Sequence, residues 1–127
     1  MQIEPSLKVL VAEDNPTNLE VISTMLEVFG CRIMVANDGD EAVSSAIENL
    51  PDVILMDSNM PNKDGVQAAV CLRKRMPEPR IPIVAVTGNV TSQTRKRCEE
   101  AGFEGFIEKP VDIMLLNKTL QGLASNR

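Results

Sequence analysis

Residues 53–65 read V-I-L-M-D-S-N-M-P-N-K-D-G. Four apolar residues, Val53 to Met56, run into Asp57, and a turn-rich stretch follows that ends in Asp64-Gly65. An apolar run this short, bounded by polar residues, predicts a strand buried on both faces. The pattern recurs along the chain. Leu7–Ala12 ends in Glu13-Asp14, Ile83–Val86 ends in Thr87, and Phe106-Ile107 leads into Lys109. If these strands are parallel neighbours, three carboxylates, a hydroxyl and an ammonium gather at one sheet edge. That grouping has the chemistry of a metal and phosphoryl site.

The intervening segments carry helical spacing. Pro16–Phe29 repeats apolar residues at Leu19, Ile22, Leu26 and Phe29. Asn15 and Pro16 suit its cap and first turn, and Gly30 suits its stop. Cys31–Ala36 reads as a further strand, and Asn37-Asp38-Gly39 turns the chain into a helix from about Asp40 to Asn49, with Ala42, Val43, Ala46 and Ile47 inward. Asp64-Gly65 opens a helix through Ala69, Val70 and Leu72 toward Arg75, and Pro77, Pro79 and Pro82 mark the loop that follows. Thr91–Ala101 is helical but mostly polar, closed by Gly102, and the last helix runs from about Val111 to Leu123 with Leu115, Leu116 and Leu120 apolar.

Five strands alternating with five helices predict an α/β fold, doubly wound around a parallel sheet. Of the two common strand orders, five strands favour the flavodoxin-like 2-1-3-4-5, in which ligands bind beyond the carboxyl ends where the first and third strands part. Glu13, Asp14 and Asp57 fall there. The 127 residues make one domain with its own core, residues 1–6 forming a short N-terminal extension.

Composition narrows the function. The chain is 43% apolar and 24% charged, as expected of a soluble globular protein, and its net charge of -5 argues against nucleic acid as a direct partner. No apolar stretch is long enough to span a bilayer, and residues 1–6 lack the basic start and apolar core of a signal peptide. Cys31, Cys71 and Cys98 are odd in number and widely spaced, fitting neither a zinc pattern nor a disulfide framework; thiols in a reducing compartment are expected. The chain has no histidine, so no mechanism can use an internal imidazole.

The chain resembles a response-regulator receiver domain over essentially its whole length. The resemblance rests on V-A-E-D-N at 11–15, L-M-D-S-N-M-P-N-K-D-G at 55–65, V-T-G at 86–88 and E-K-P at 108–110. The opening E-D-N-P-T-N at 13–18 is closer to receivers of hybrid histidine kinases than to free-standing regulators. The resemblance implies that Asp57 is the nucleophile and becomes an acyl phosphate. It implies Mg²⁺, or Mn²⁺ in its place, held by Asp14, Asp57 and the Asn59 backbone carbonyl, with Glu13 acting through water. Lys109 would neutralise the phosphoryl oxygens and Thr87 would donate a hydroxyl hydrogen bond. The Lys109-Pro110 bond is expected to be cis, aiming the lysine into the site. Met60 and Pro61 would shape the loop.

By the same resemblance, Thr87 moves inward on phosphorylation and Phe106 takes the vacated space. Phe106 has no hydroxyl where the family often has tyrosine, and ordinary core packing is the competing account of it. Asn59 and Asn89 flank the path of an attacking water, and Gly88 stands where alanine is usual. The polar helix with Arg95, Lys96 and Arg97 belongs to the responding surface or is simply a solvated face. The donor would be a phosphohistidine on a histidine kinase or a histidine phosphotransfer protein, docking on the first helix, where Val21, Met25 and Val28 either meet the partner or pack on the sheet. The expected setting is cytoplasmic, free-standing or as part of a membrane-anchored sensor kinase. The domain would be a monomer or weak dimer that catalyses its own phosphorylation and dephosphorylation without turning over a separate substrate.

Three other readings compete. Aspartyl phosphohydrolases of the haloacid dehalogenase type usually have a second aspartate two residues after the nucleophile, where this chain has Asn59. A flavodoxin-like nucleotide or flavin binder needs a phosphate-cradling loop after the first strand, where this chain has Glu13-Asp14. A pseudo-receiver acting only as an interaction module has no need of the intact acidic pair, Asp57, Thr87 and Lys109.

Overall fold

The structure, a computed structural model, describes residues 2–3, 6–58, 60, 62–88 and 91–125. Five strands and five helices alternate: β1 (Lys8–Ala12), α1 (Pro16–Val28), β2 (Arg32–Ala36), α2 (Gly39–Asn49), β3 (Val53–Asp57), α3 (Gly65–Arg75), β4 (Ile83–Thr87), α4 (Ser92–Glu100), β5 (Gly105–Glu108) and α5 (Ile113–Ser125). The strands form one parallel sheet in the order β2-β1-β3-β4-β5. This is the expected doubly wound topology. In a parallel sheet every carboxyl end faces the same way, so the residues that end β1, β3, β4 and β5 share one edge.

Alternation along the strands sorts side chains into two cores. Val9, Val11, Val53, Leu55, Val84 and Val86 face one side, covered by Ile22, Leu26 and Phe29 of the α1 segment and Leu116 and Leu120 of α5. Leu10, Ala12, Ile54, Met56 and Ile83 face the other, covered by Ala42, Val43 and Ala46 of α2 and Ala68, Ala69 and Leu72 of α3. Burial on both faces is why β3 and β4 are continuously apolar up to their last residue. Ile3, in the stretch ahead of β1, is also buried, and its N–H donates to the Phe29 carbonyl.

The helix boundaries follow their caps. Asn15, Asp38 and Thr91 each accept a backbone N–H with their side chains. Asp64 and Gln67 form a reciprocal capping box at α3. Gly30 ends the α1 segment at φ +77°, a backbone conformation that other L-residues rarely adopt. One boundary differs from expectation. The last helix begins at Ile113, not about Val111, because the Asp112 carboxylate accepts the N–H groups of Met114 and Leu115 and so fixes the first turn. Leu115 is exposed on α5, whereas Leu116 and Leu120 are buried.

Candidate functional site

β1 delivers Glu13 and Asp14 to the sheet edge, β3 delivers Asp57, β4 delivers Thr87, and Lys109 follows β5. One carboxylate oxygen from each of Glu13, Asp14 and Asp57 lies within 4.8 Å of the others. Glu13 and Asp57 are buried, at 1% and 6% exposure, while Asp14 is open to solvent. Each pair of like charges at about 4 Å costs roughly 4 kcal/mol at a surface-like effective dielectric. The arrangement therefore needs a cation.

Lys109 supplies one from the protein. Its Nζ lies 2.9 Å from Glu13 Oε1 and 3.4 Å from Asp57 Oδ2. The Lys109 N–H donates to the Thr87 carbonyl at 2.8 Å, which ties the lysine backbone to the end of β4. The Lys109-Pro110 peptide bond is cis, as expected, and Glu78-Pro79 is cis as well. Burial pulls the Lys109 pKa down, but the carboxylates of Glu13 and Asp57 outweigh it and raise it above the ordinary lysine value. Burial pushes Glu13 up, and hydrogen bonds with Asp57, Lys109 and the Asn15 N–H, with the lysine charge, hold it below the usual carboxylate value. Glu13 Oε1 is buried and, beyond its ion pair with Lys109, accepts no well-aligned hydrogen bond. Three converging carboxylates with such an oxygen make an all-oxygen donor set suited to a hard dication.

Close packing fixes the strand ends. A Cβ on Gly65 would stand 2.3 Å from the Asp57 carbonyl oxygen, so only glycine lets α3 start this close to β3. The Gly65 N–H donates to the Ser58 carbonyl at 3.3 Å. Thr87 is buried at 1% exposure, and Ser58 Oγ donates to Thr87 Oγ1 at 2.8 Å.

Other expected site residues lie around this centre. Gly88 is exposed, with no atom of the described residues within 4 Å of where a Cβ would project, so none of them requires glycine there. Pro110 is exposed. Phe106 is not a core residue: it is half-buried, with the Arg95 guanidinium carbon 4.8 Å from its ring centroid. Met25 packs on the core, whereas Val21 and Val28 are exposed. Asn59, Pro61 and Asn89 lie outside the described residues. Cys31, Cys71 and Cys98 are free thiols, and Cys98 is buried. No helix among the described residues is long and apolar enough to cross a membrane.

Sequence reading missed two features. Ser58 gave no signal, because a serine just after a strand is ordinary until the β3–β4 register puts it opposite Thr87. Away from the site, Arg73 and Arg80 both pair with Glu104 and both donate to the Gly102 carbonyl. Those three charges are far apart in sequence and matched no motif.

Comparison with known proteins agrees with this geometry. The profile of the response regulator receiver domain family matches residues 9–121. The sensor histidine kinase RcsC of Salmonella typhimurium is 34% identical over 114 residues, covering 90% of this chain and 12% of the relative. The peroxide stress-activated histidine kinase mak1 of Schizosaccharomyces pombe is 36% identical over 121 residues, covering 91% and 7%. The chain thus spans a small part of the curated relatives it matches. Among solved structures, the receiver domain of sensor histidine kinase PA1611 from Pseudomonas aeruginosa aligns with a TM-score of 0.86 at 36% identity, covering 93% of this chain and 97% of that one. That crystal structure holds a magnesium ion coordinated in its active site cleft. The chemotaxis protein CheY4 of Vibrio cholerae aligns with a TM-score of 0.85 at 29% identity, covering 93% and 98%.

Proposed function

This chain belongs to the response regulator receiver domain family of two-component signalling, and from that premise we propose that it takes a phosphoryl group onto Asp57 and changes conformation in response. The observation that carries the reading is the Lys109 ammonium, held 2.9 Å from Glu13 and 3.4 Å from Asp57 beside a third carboxylate.

Asp57 presents a carboxylate oxygen to phosphorus. The new O–P bond forms as the bond from phosphorus to the donor's leaving atom breaks, the leaving group departs with that electron pair, and an acyl phosphate results. Lys109 is already close enough to Asp57 to neutralise a phosphoryl oxygen, with little reorganisation. The Thr87 hydroxyl donates to a second oxygen. The all-oxygen donor set fits Mg²⁺, with Mn²⁺ able to substitute: Asp14, Asp57 and the Asn59 carbonyl would hold it, with Glu13 acting through water. When bound it would supply the remaining neutralising charge. Asn59 and Asn89, by the family resemblance, would flank the route of an attacking water and set the phosphoryl lifetime, and the small Gly88 would keep the phosphoryl group accessible. The response runs through Thr87 to Phe106, whose inward movement requires it to leave the Arg95 guanidinium.

The chain has no histidine, so a phosphohistidine donor must come from another domain or chain, a histidine kinase or a phosphotransfer protein. Exposed Val21 and Val28 on α1 offer the docking surface, next to a cleft of about 110 Å³ lined by Asn18, Val21, Ile22, Lys109, Pro110 and Val111. Residues 1–127 act as one receiver domain, a monomer or weak dimer on the cytoplasmic side, with no direct contact to nucleic acid or membrane. It catalyses its own phosphorylation and autodephosphorylation.

The test is intact mass after incubation with acetyl phosphate, with and without Mg²⁺, beside Asp57→Asn. A gain of one phosphoryl group that needs both Mg²⁺ and Asp57 is expected. Labelling that survives in Asp57→Asn, or none at all in the folded parent chain, overturns the reading.

A further inference from the structure

We propose that Ser58 is a positioning residue for phosphoryl transfer, acting through the hydroxyl of Thr87. The inference rests on the receiver reading above and adds to it a residue with no chemistry of its own. Asp57 pairs with Val86 in the β3–β4 register, so the next residue along β3 stands beside the next along β4. Ser58 is therefore opposite Thr87, and its Oγ donates to Thr87 Oγ1 at 2.8 Å. The backbone of Ser58 is anchored in turn, because its carbonyl accepts the Gly65 N–H at the start of α3. Thr87 itself is buried, at 1% exposure, so this contact is shielded from competing solvent.

The direction of this hydrogen bond matters. A hydroxyl has one proton to donate and two lone pairs to accept with. Thr87 spends a lone pair on Ser58, so its own O–H is directed away from Ser58. Accepting a hydrogen bond also polarises an O–H and strengthens its donation, an effect that grows in a low-dielectric setting. Ser58 thus does two things for Thr87: it limits the rotation of the hydroxyl and makes it a better donor. During transfer the Asp57 oxygen–phosphorus bond forms, the bond to the donor's leaving atom breaks, and the leaving group takes the electron pair. Ser58 and Thr87 keep their protons throughout and contribute hydrogen bonds alone. Without Ser58, the Thr87 hydroxyl loses that restraint and polarisation, and more of its ordering falls to the reaction itself.

The test is a double-mutant cycle on the full chain, read as the rate constant for mass gain with acetyl phosphate at saturating Mg²⁺. Ser58→Ala is expected to slow labelling about 3- to 10-fold, the range of one ordinary hydrogen bond expressed as a rate. Ser58→Thr, which keeps the hydroxyl, is expected to restore it. In a Thr87→Ala chain, Ser58→Ala is expected to change nothing further. Thermal unfolding of each variant separates a folding defect from a rate effect, and the Thr87 methyl resonance in unphosphorylated protein should shift in Ser58→Ala and return in Ser58→Thr. Equal rates for Ser58→Ala and the parent overturn the proposal. So does a Ser58→Ala loss of the same size with and without Thr87, or a Ser58→Thr chain as slow as Ser58→Ala. A parent chain that does not label, or an Asp57→Asn chain that does, overturns the receiver reading instead, so the two failures are distinguishable.

Discussion

Lys109 lies between two carboxylates, so removing it takes away the ammonium that separates Glu13 from Asp57. Lys109→Ala is expected to lower stability by about 1–3 kcal/mol without divalent cation, below the range for a fully buried pair because the lysine is partly exposed. In thermal melts the deficit should shrink as Mg²⁺ is added; one that ignores Mg²⁺ would mean the carboxylates do not hold the ion. Glu13 gives a prediction in pH. Its folded pKa lies below the unfolded value of 4.5, so its contribution is complete above that value and is lost as pH falls through the folded pKa. The acid limb of a stability–pH curve should therefore be shallower in Glu13→Gln, and an unchanged limb would remove Glu13 from the balance. Glu13, Asp57 and Lys109 were legible in the sequence because each marks the end of an apolar run. Ser58 was not, since its meaning depends on a neighbour 29 residues away.

At the scale of elements, α3 is placed against the end of β3 by a glycine. Gly65→Ala must displace either the helix start or the Asp57 carbonyl, because the new Cβ would stand 2.3 Å from that oxygen. The expected cost is about 1–3 kcal/mol, as for other overpacked sites, with slower labelling of Asp57 because its strand end moves. Urea melts and the mass assay check both, and a variant as stable as the parent would show that α3 is not seated as described. Element types were readable throughout because hydrophobic periodicity follows from which faces are buried. Boundaries were less so. Asp112 set the start of α5 through its carboxylate, and an aspartate two residues past a proline is too common to be distinctive. The polar α4 was legible for a different reason: Cys98 is its one buried residue, so its pattern carried little core signal, but Gly102 marked its end.

Taken as a whole, the molecule holds an acidic cluster at one edge of the sheet and a net charge of -5. A divalent cation that binds the folded chain and not the unfolded one must stabilise it by mass action, by about 1.4 kcal/mol at ten times the dissociation constant, and so raise the melting temperature. The rise should track Mg²⁺ concentration and be largely absent in Asp57→Asn; a similar rise in that variant would point to general charge screening. The topology was fully legible because alternating strands and helices of these lengths leave few solutions. The Arg73–Glu104–Arg80 cluster was not, since it depends on α3, the loop before β4 and the turn into β5 meeting in space. One consequence of the parallel sheet concerns measurement. Residues carried by β1, β3, β4 and β5 must converge before Asp57 has its full set of neighbours, and a chain missing a pairing between any two of those strands lacks part of that set. If Asp57 is the acceptor proposed above, the molar yield of labelling, with phosphodonor in excess so that labelling outruns autodephosphorylation, is a titration of intact molecules, and in a heated, aged or refolded sample it counts the surviving native fraction directly, where a spectrum reports only an average.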